Sequence, residues 1–457
     1  MPIRTALCLA LCLLASGIPA KAANDMSLDT LFRTLGPMTN DLARYDYLKQ
    51  AMPRLAPADR PIAVQLLAGV EDELGLYRQA ILDFPLVPRL PGNLPIPQAG
   101  DWRAASAVDV VARLAKDRRI VMVNEAHHDA HTRELTLALL PRLRALGFTH
   151  FAAEALGDRD PALAKRGYPD TASGSEYLHE PLYGEIIRSA IRLGFVIVPY
   201  DGDSTDTASR ERQQARNLYQ RVFARTPDAR LFVHAGYAHI DKGKGRLGKV
   251  KPMAMQLQEL TGLTALSVDQ VNFRDVHSRN EFDPYHQLVA AFHPQLPTAL
   301  VDRATGKPWS ASPGTYDVSV LLPPSLALAA GGDEVHTAWL SFGMSGIAVE
   351  PPSSEPARPA WLRLGGQRHA HVVDGNMCAK TFPCVIEAHY PGEPDNATAA
   401  DRYPFTKASA REPLYLFPGS YRLRAFDRNG KTLGENRIVV AEAGPAPGTS
   451  AVPDPEP

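Results

Sequence analysis

The segment N-E-A-H-H-D-A-H-T-R-E concentrates acid and base side chains directly after an apolar run. Glu125 and His128 stand three residues apart where that run gives way to a helical pattern, so both can face one cavity. A carboxylate beside an imidazole fixes the tautomer of the ring and raises its basicity, which suits general base catalysis or metal ligation. His127 and His131 add nitrogen donors, unless the segment is only a polar helix start whose rings face solvent.

A second histidine-bearing segment, L-F-V-H-A-G-Y-A-H-I, surrounds a glycine. Gly236 permits a tight backbone just past an apolar run, which would bring His234 and His239 to the same rim. His234 lies within the run itself, so a buried histidine of the core is the alternative interpretation of that residue.

Acidic or imidazole side chains follow five consecutive apolar runs of the chain. In chain order these residues are Glu125, Glu154, Asp201 with Asp203, His234 with His239, and Asp269. In open parallel sheets, ligands bind just beyond the carboxyl ends of the strands. Five runs that end in acid or base residues therefore favour one common site over a set of unrelated polar loops.

Several other mechanisms lack their signatures in this chain. No G-x-S-x-G elbow and no S-x-x-K motif is present, so covalent catalysis by serine is disfavoured. G-K-G-R-L-G has the spacing of a dinucleotide fingerprint, but it follows the fourth apolar run rather than the first. Water activation by His and Glu, with or without a metal ion, is the chemistry that remains.

The elements that must position these residues follow from the pattern between residues 98 and 327. Apolar runs cover 119–124, 148–153, 195–200, 230–235, 264–268 and 316–322, and helical periodicity covers about 131–146, 176–193, 207–225 and 251–261. This alternation predicts an α/β domain, and the continuous apolarity of the runs predicts a mostly parallel sheet with helices on both faces. Pro141 is expected to kink or shorten its helix.

Two further regions flank the α/β domain. Residues 23–97 combine helical periodicity with a proline-rich stretch, which predicts a small helical region and a linker without a chemical role. Residues 328–442 carry short apolar segments between turns, including H-T-A-W-L-S-F and A-W-L-R-L, and predict an antiparallel Ig-like β-sandwich. Residues 443–457 lack apolar periodicity and are expected to be disordered.

The first 22 residues have the composition of a secretory signal peptide. Arg4 precedes a ten-residue apolar run, and Ala20 and Ala22 form a small-residue cleavage site. Cleavage after about Ala22 would place the protein in the periplasm or outside the cell.

Two of the four cysteines would leave with that peptide, so the mature chain would hold Cys378 and Cys384. In an exported protein a single close pair predicts one disulfide across a loop. A two-thiolate metal site is the alternative, with His371 and His389 near enough to complete it.

Composition excludes two classes of partner. The 457 residues carry 49 Lys and Arg against 50 Asp and Glu, a formal net charge of −1, so the chain has no global positive field for nucleic acid. No long apolar run follows the signal region, which argues against an integral membrane protein. We expect a small-molecule or envelope-derived substrate, with the β-sandwich available for contact with a partner or polymer.

These motifs resemble the erythromycin-esterase-like superfamily, which includes the ChaN-like haem-binding lipoproteins. The first strand of that family ends in Gly-Glu-x-x-His; Glu125 and His128 match it, while Asn124 replaces the glycine. Thr-Arg-Glu follows two residues later than in the family and contributes Arg133. F-A-A-E-A matches the end of the family's second strand and contributes Glu154.

The family's later helix, which leads to a histidine-bearing strand, looks like R-E-R-Q-Q-A-R-N-L before the second histidine segment. His239 then matches the final histidine. The resemblance covers about residues 100–325, and it implies an exported hydrolase of an ester, lactone or amide bond.

The resemblance also implies roles for individual residues. His128 would be the general base on water, oriented by Glu125, with Glu154 as a second acid–base or orienting carboxylate. His239 and Arg133 would stabilise the developing oxyanion. In a metal-dependent variant, Glu125, His128, Glu154 and His239 hold a divalent ion with an open water position.

Substrate contacts are expected from His127, Asp201, Asp203, His234 and Tyr237. The alternative that the resemblance implies is an envelope protein without catalysis that binds haem or a metal ion. Its haem would be captured through Tyr237 or His239.

Overall fold

The computed structural model describes residues 25–88, 90, 94–204, 206–276, 283–325 and 358–442. The proposed signal peptide, the apolar segment H-T-A-W-L-S-F and the C-terminal tail lie outside the described residues. Among the residues described, no helix combines the length and the apolarity needed to cross a membrane.

An eight-stranded mixed sheet forms the centre of the molecule. In chain order its strands are β1 (Trp102–Ser106), β2 (Ile120–Glu125), β3 (His150–Ala153), β4 (Val196–Pro199), β5 (Leu231–Gly236), β6 (Leu266–Asp269), β7 (Thr298–Asp302) and β8 (Val318–Leu321). Across the sheet they lie in the order β1-β7-β8-β6-β2-β5-β3-β4. The strands from β8 to β4 are parallel, whereas β1 and β7 pair antiparallel at one edge.

Helices cover both faces of this sheet. Among the residues described, these helices are α5 (Ala107–Ala115), α6 (His131–Ala145), α7 (Leu163–Arg166), α8 (Pro181–Arg192), α9 (Thr207–Leu218), α10 (Met253–Thr261) and α11 (Pro284–Phe292). A π-helical turn, Tyr219–Phe223, extends α9. One apolar cluster packs α5, α6 and α8 on one face, and another packs α9 and α10 on the opposite face. The central strands are therefore buried on both sides, and the predicted α/β class with a mostly parallel sheet is confirmed.

Pro141 lies inside α6 without ending it, because the helix runs on to Ala145. The predicted strands and helices of this region all recur within a few residues of the observed bounds. Four elements that form and flank the antiparallel edge of the sheet were not predicted: β1, α5, β7 and α11.

Residues 358–442 form two antiparallel sheets. The strands are β9 (His369–Asp374), β10 (Cys384–His389), β11 (Asp401–Phe405), β12 (Arg411–Leu416), β13 (Gly419–Asp427) and β14 (Thr432–Val440). Four of them lie in the order β11-β10-β13-β14, and β12 pairs with β9. A disulfide joins Cys378 to Cys384, the first residue of β10.

The prediction of a strand at A-W-L-R-L is wrong. Residues Ala360–Gly366 form a 3₁₀ helix that is interrupted by left-handed backbone at Leu364 and Gly365, with φ of 47° and 64°. Positive φ is incompatible with an extended strand, and Trp361 of this segment instead stacks on His131 of α6 at 4.7 Å between ring centroids.

Four helices precede the sheet: α1 (Leu28–Leu35), α2 (Asp41–Ala51), α3 (Arg60–Glu73) and α4 (Tyr77–Asp83). Ser27 caps α1 and Asn40 caps α2, each by accepting a hydrogen bond from a backbone N–H of the first turn. Apolar side chains of these helices pack on one another and on Val385 and Phe426 of the four-stranded sheet. The helical region therefore bridges the C-terminal sheets and the α/β domain.

Candidate active site

The carboxyl ends of three neighbouring parallel strands, β2, β5 and β3, form the centre of the candidate site. Glu125 ends β2, Gly236 ends β5, and Glu154 directly follows β3. Because the strands are parallel and adjacent, these residues lie at one edge of the sheet. The backbone N–H of Gly236 donates to Oε2 of Glu154 at 2.5 Å, which ties the middle strand β5 to its neighbour β3 at this edge.

The Glu125 carboxylate is 1% exposed and is enclosed by three nitrogen donors. Oε1 lies 2.9 Å from Nδ1 of His127, while Oε2 lies 2.7 Å from Nε of Arg133 and 3.1 Å from Nε2 of His234. Burial alone would raise the pKa of Glu125, but Arg133 and His234 outweigh burial and hold the pKa well below its ordinary range. Glu125 is therefore ionised at neutral pH and can only accept hydrogen bonds.

His127 has the geometry of a general base. Because Glu125 only accepts, Nδ1 of His127 carries the proton of their hydrogen bond, and a ring that holds this one proton has a lone pair on Nε2. The ring stacks on Tyr177 at 4.2 Å between centroids, which fixes its orientation. Nε2 lies directly over Gly236, since a Cβ there would approach Nε2 to 2.4 Å.

A cavity of about 300 Å³ opens beside the His127 ring. Its lining residues are His127, Thr207, Arg210, Glu211, Tyr237, Ala238, His239 and Leu247. Ligand pockets are commonly about 300–1,000 Å³, so this one suits a small substrate or a single reacting group of a larger one.

His239 is held between two carboxylates on the cavity wall. Its Nε2 lies 3.2 Å from Oε1 of Glu154, and its Nδ1 lies 2.6 Å from Oε1 of Glu211. Burial alone would lower the pKa of His239, but the two carboxylates outweigh burial and raise the pKa to about 10. His239 is therefore an imidazolium at neutral pH. Its charge, helped by Arg210, in turn lowers the pKa of Glu154 against the effect of burial.

Arg210, in the first turn of α9, brings a second positive charge to the cavity. Its Nη2 lies 2.8 Å from Oε1 of Glu154 and 2.7 Å from Oδ2 of Asp201, and its Nε lies 2.9 Å from Oδ1 of Asp201. Nη1 carries none of these bonds, and the side chain is 34% exposed. Arg210 can therefore donate to a ligand while two carboxylates hold it in place.

His128 lies in a different environment from its neighbour. Its ring stacks on Phe84, which directly follows α4, while Nδ1 lies 3.0 Å from the Tyr237 hydroxyl and Nε2 lies 3.2 Å from Nη2 of Arg274. It is 2% exposed and does not line the cavity. Burial and the Arg274 charge hold the pKa of His128 well below its ordinary value, so its ring is neutral.

The expected pairing of Glu125 with His128 is thus corrected: the carboxylate contacts His127. The physical reason is a tight turn after β2, in which the N–H of Asp129 donates to the carbonyl of Ala126 at 2.8 Å. Consecutive side chains in such a turn leave the backbone in different directions.

Arg133 is fully buried and supports Glu125 instead of facing the cavity, which corrects its expected role as an oxyanion donor. Its Nη1 lies 2.7 Å from Oδ2 of Asp72 in α3 and 3.1 Å from Oε2 of Glu180 at the start of α8. The Tyr77 hydroxyl donates to Oε1 of Glu180 at 2.9 Å. Three carboxylates and one guanidinium thus form a buried network behind the site.

The five residues expected to contact substrate divide into two groups. His127 and Tyr237 line the cavity, whereas Asp201 holds Arg210 and Asp203 is exposed. His234 is completely buried, with Nδ1 2.9 Å from the Thr136 hydroxyl, which agrees with its alternative interpretation as a core histidine.

The four residues expected to hold a metal ion do not form a ligand set. A metal site needs at least three His, Cys, Asp or Glu side chains whose ligand atoms lie close together. In the described part of the chain, one group of three has such atoms within 4.8 Å of one another, and it consists of Asp41, Glu73 and His179. Arg44 lies 2.6 Å from Glu73, and Arg402 lies 2.7 Å from Asp41, so this group is a salt-bridged cluster. Guanidinium groups likewise occupy the surroundings of Glu125 and His128.

The haem ligands expected from the alternative interpretation are already engaged. The Tyr237 hydroxyl contacts Nδ1 of His128, and carboxylates hold both ring nitrogens of His239. Axial ligation by either residue would break these contacts, so the residues present do not fit a haem as they stand.

Three site residues were not predicted: Arg210, Glu211 and Asp72. Arg210 and Glu211 stand in the polar segment R-E-R-Q-Q-A-R-N-L, where nothing in the spacing distinguishes these two side chains, which line the cavity, from their polar neighbours. Asp72 belongs to an amphipathic helix, where one carboxylate among helical polar residues gives no signal of a distant contact.

No protein-family model matches the chain, and no curated protein matches it. A solved structure described as bacterial protein toxins is 20% identical, with a TM-score of 0.28, and the match covers 37% of each chain. The type III effector HopBA1 is 13% identical, with a TM-score of 0.26, over 39% of this chain and 87% of its own.

A third similar structure is RRSP, a MARTX toxin effector domain from Vibrio vulnificus. It is 23% identical, with a TM-score of 0.26, over 36% of each chain. The chain spans about 37% of the length of the first of these structures. At these TM-scores the similarities support no statement about function, and fold and site define only an α/β protein with an acid–base cavity at the carboxyl edge of its sheet.

Proposed function

We propose that the protein is a hydrolase that activates water with the Glu125–His127 pair and cleaves an ester, lactone or amide bond. The observation that supports it is the 2.9 Å contact between Oε1 of Glu125 and Nδ1 of His127. That contact leaves Nε2 of His127 as an acceptor beside a cavity whose wall also carries His239 and Arg210. A base beside two cations is the arrangement that carbonyl hydrolysis requires.

In this mechanism a water molecule in the cavity gives a proton to Nε2 of His127 as its oxygen bonds to the carbonyl carbon of the substrate. Glu125 stabilises the imidazolium that forms, because its carboxylate is ionised and hydrogen-bonded to the same ring. Negative charge develops on the carbonyl oxygen, and the Nη1 group of Arg210 and the positive field of His239 stabilise it. The general base is thus His127, in place of His128.

The same proposal includes where the protein acts, what its substrate is and what its C-terminal sheets do. The signal peptide directs the protein to the periplasm or outside the cell, where an envelope-derived or other small substrate meets the cavity. The resemblance to the erythromycin-esterase-like superfamily supports the reaction class, and the C-terminal sheets would form an Ig-like module that contacts a partner or polymer.

The test is hydrolysis by the purified protein of a panel of 4-nitrophenyl and alkyl esters, lactones and peptides, followed by proton release. We expect His127→Ala and Glu125→Gln to lower kcat/KM by about 10²–10⁴-fold, the usual contribution of general base catalysis. His371→Ala is the matched control, because His371 is a partly exposed histidine of β9 outside the cavity lining. Turnover that is unchanged in both site variants would refute the mechanism.

A further inference from the structure

Arg274, His128 and Tyr237 form a hydrogen-bonded chain that ends at the cavity. Nη2 of Arg274 lies 3.2 Å from Nε2 of His128, and Nδ1 of His128 lies 3.0 Å from the Tyr237 hydroxyl. A guanidinium can only donate, so Nε2 of His128 accepts. The neutral ring must then carry its proton on Nδ1, and Nδ1–H donates to the phenol oxygen of Tyr237.

The phenol oxygen of Tyr237 accepts the hydrogen bond from Nδ1–H of His128, and burial raises the pKa of this phenol, so the hydroxyl keeps its proton. Because Nδ1 of His128 is itself a donor, the O–H of Tyr237 cannot donate to it and must donate elsewhere. Tyr237 lines the cavity together with His127, and their rings meet edge to face at 5.1 Å. The free O–H is therefore directed away from His128 and is available to a ligand in the cavity.

The backbone of Tyr237 is held in place as firmly as its side chain. Its φ of 41° lies in the left-handed region, which is uncommon for a residue other than glycine. Its N–H donates to the carbonyl of Glu125 at 2.9 Å, and its carbonyl accepts from Nδ2 of Asn124 at 3.0 Å. Strained backbone that persists beside a cavity is typical of residues positioned for function.

We propose that Tyr237 is the general acid that protonates the leaving group, and that the substrates are therefore carbonyl compounds with a strongly basic leaving group: alkyl esters, lactones or amides. This inference rests on the proposed function and specifies its substrate class. His128 and Arg274 are positioning residues, since they act through Tyr237.

Tyr237 supplies the proton that the leaving group needs. When the tetrahedral intermediate collapses, the bond from the carbonyl carbon to the leaving oxygen or nitrogen breaks, and that atom takes the phenol proton of Tyr237. The Nδ1–H group of His128 stabilises the phenolate, and Arg274 adds positive charge one ring further away. The proton that His127 took from water returns to Tyr237, directly or through a further water, and restores both residues. An alkoxide is a stronger base than a phenolate and needs this proton, whereas 4-nitrophenolate leaves without it.

The experiment compares ethyl butyrate with 4-nitrophenyl butyrate, which share an acyl group and differ in the leaving group. Tyr237→Phe removes the hydroxyl and keeps the ring, and Tyr47→Phe in α2 is the matched control. We expect Tyr237→Phe to lower kcat/KM for the ethyl ester by about 10²–10³-fold. For the 4-nitrophenyl ester we expect a change of less than about threefold, because its leaving group does not require a proton.

Each other outcome has a distinct meaning. Equal losses on the two esters, or no loss on either, would overturn the role of Tyr237 and leave the proposed hydrolase intact. If the wild type hydrolyses the 4-nitrophenyl ester but not the ethyl ester, the proposed class of substrates with a strongly basic leaving group is overturned. His127→Ala reports on the proposed function separately, since it should lower kcat/KM for both esters by about 10²–10⁴-fold. A wild-type protein that hydrolyses neither ester would overturn this inference for esters, and one that hydrolyses no member of the panel of esters, lactones and peptides would overturn the proposed function as well. The circular dichroism of Tyr237→Phe should match that of the wild type, which shows that the variant folds.

Discussion

Asp72 of α3 lies 2.7 Å from Arg133 of α6, and both side chains are buried. The other carboxylate oxygen of Asp72 accepts from the backbone N–H of Ala130 at 2.9 Å, where α6 has no side-chain cap of its own. Because Arg133 also holds Glu125, a residue of the N-terminal helices is connected to the candidate general base through two salt bridges and one hydrogen bond. The helical region, which the sequence analysis treated as structural only, therefore supports the site.

Replacing Asp72 should destabilise the protein strongly. Asp72→Ala leaves the Arg133 guanidinium buried with one partner fewer, and breaking a buried ion pair costs about 3–5 kcal/mol. Asp109→Ala is the control, since Asp109 pairs with Arg142 at 2.7 Å on the surface and exposed pairs contribute less than about 1 kcal/mol. Urea unfolding of the two variants measures the difference. Equal midpoints would show that Asp72 does not hold the network.

A methyl group at position 236 should disable the site with little effect on folding. The Cβ of Gly236→Ala would lie 2.4 Å from both Cε1 and Nε2 of His127, so the ring must move away from the position of a general base. We expect kcat/KM to fall by about 10²-fold or more, because a misplacement of about 1 Å has an effect of that size. Gly100→Ala is the control, since a Cβ there meets nothing within 4 Å. Full activity in Gly236→Ala would exclude His127 as the base.

The sequence identified the edge of the sheet at which the chemistry lies, because the carboxyl ends of parallel strands meet there whatever their order in the chain. Glu125, Glu154 and His239 were found in this way, and the structure places all three at that edge. Strand order did not have to be known. The antiparallel strands β1 and β7 were missed, but they lie at the far edge and do not affect the site.

The choice between His127 and His128 could not be made from the sequence. Both follow the same strand, and which ring meets Glu125 depends on the dihedral angles of one tight turn. The contact of Asp72 with Arg133 joins residues 61 positions apart, and no periodic pattern marks such a pair. The strand predicted at A-W-L-R-L is wrong for a similar reason: the backbone dihedral angles of one residue decide the structure. Leu364 is left-handed there, although the apolar pattern of the segment is typical of a strand.

Reduction of the Cys378–Cys384 disulfide should weaken the C-terminal sheets without changing hydrolysis. The bond joins residues six positions apart, and the chain-entropy relation for so short a loop gives a stabilisation of about 2 kcal/mol. We expect a reductant to lower the free energy of unfolding by about 2 kcal/mol and to leave kcat/KM unchanged. The double variant Cys378→Ala with Cys384→Ala is the control, and it should not respond to the reductant. A loss of activity on reduction would show that these sheets take part in the site.

The stability of the site should fall as the pH rises above neutrality, because of His239. Glu154 and Glu211 outweigh burial and raise the pKa of this imidazole from its ordinary 6.5 to about 10. Because the pKa of His239 is higher in the folded state than in the unfolded state, its protonation stabilises the fold. This stabilisation is fully present below pH 6.5 and is lost as the pH rises through about 10. The free energy of unfolding, measured from pH 6 to pH 10.5 for the wild type and His239→Gln, should therefore show a difference that shrinks across this window. His371→Gln should show no such trend, and a constant difference for His239→Gln would mean that His239 is not an imidazolium in the folded protein.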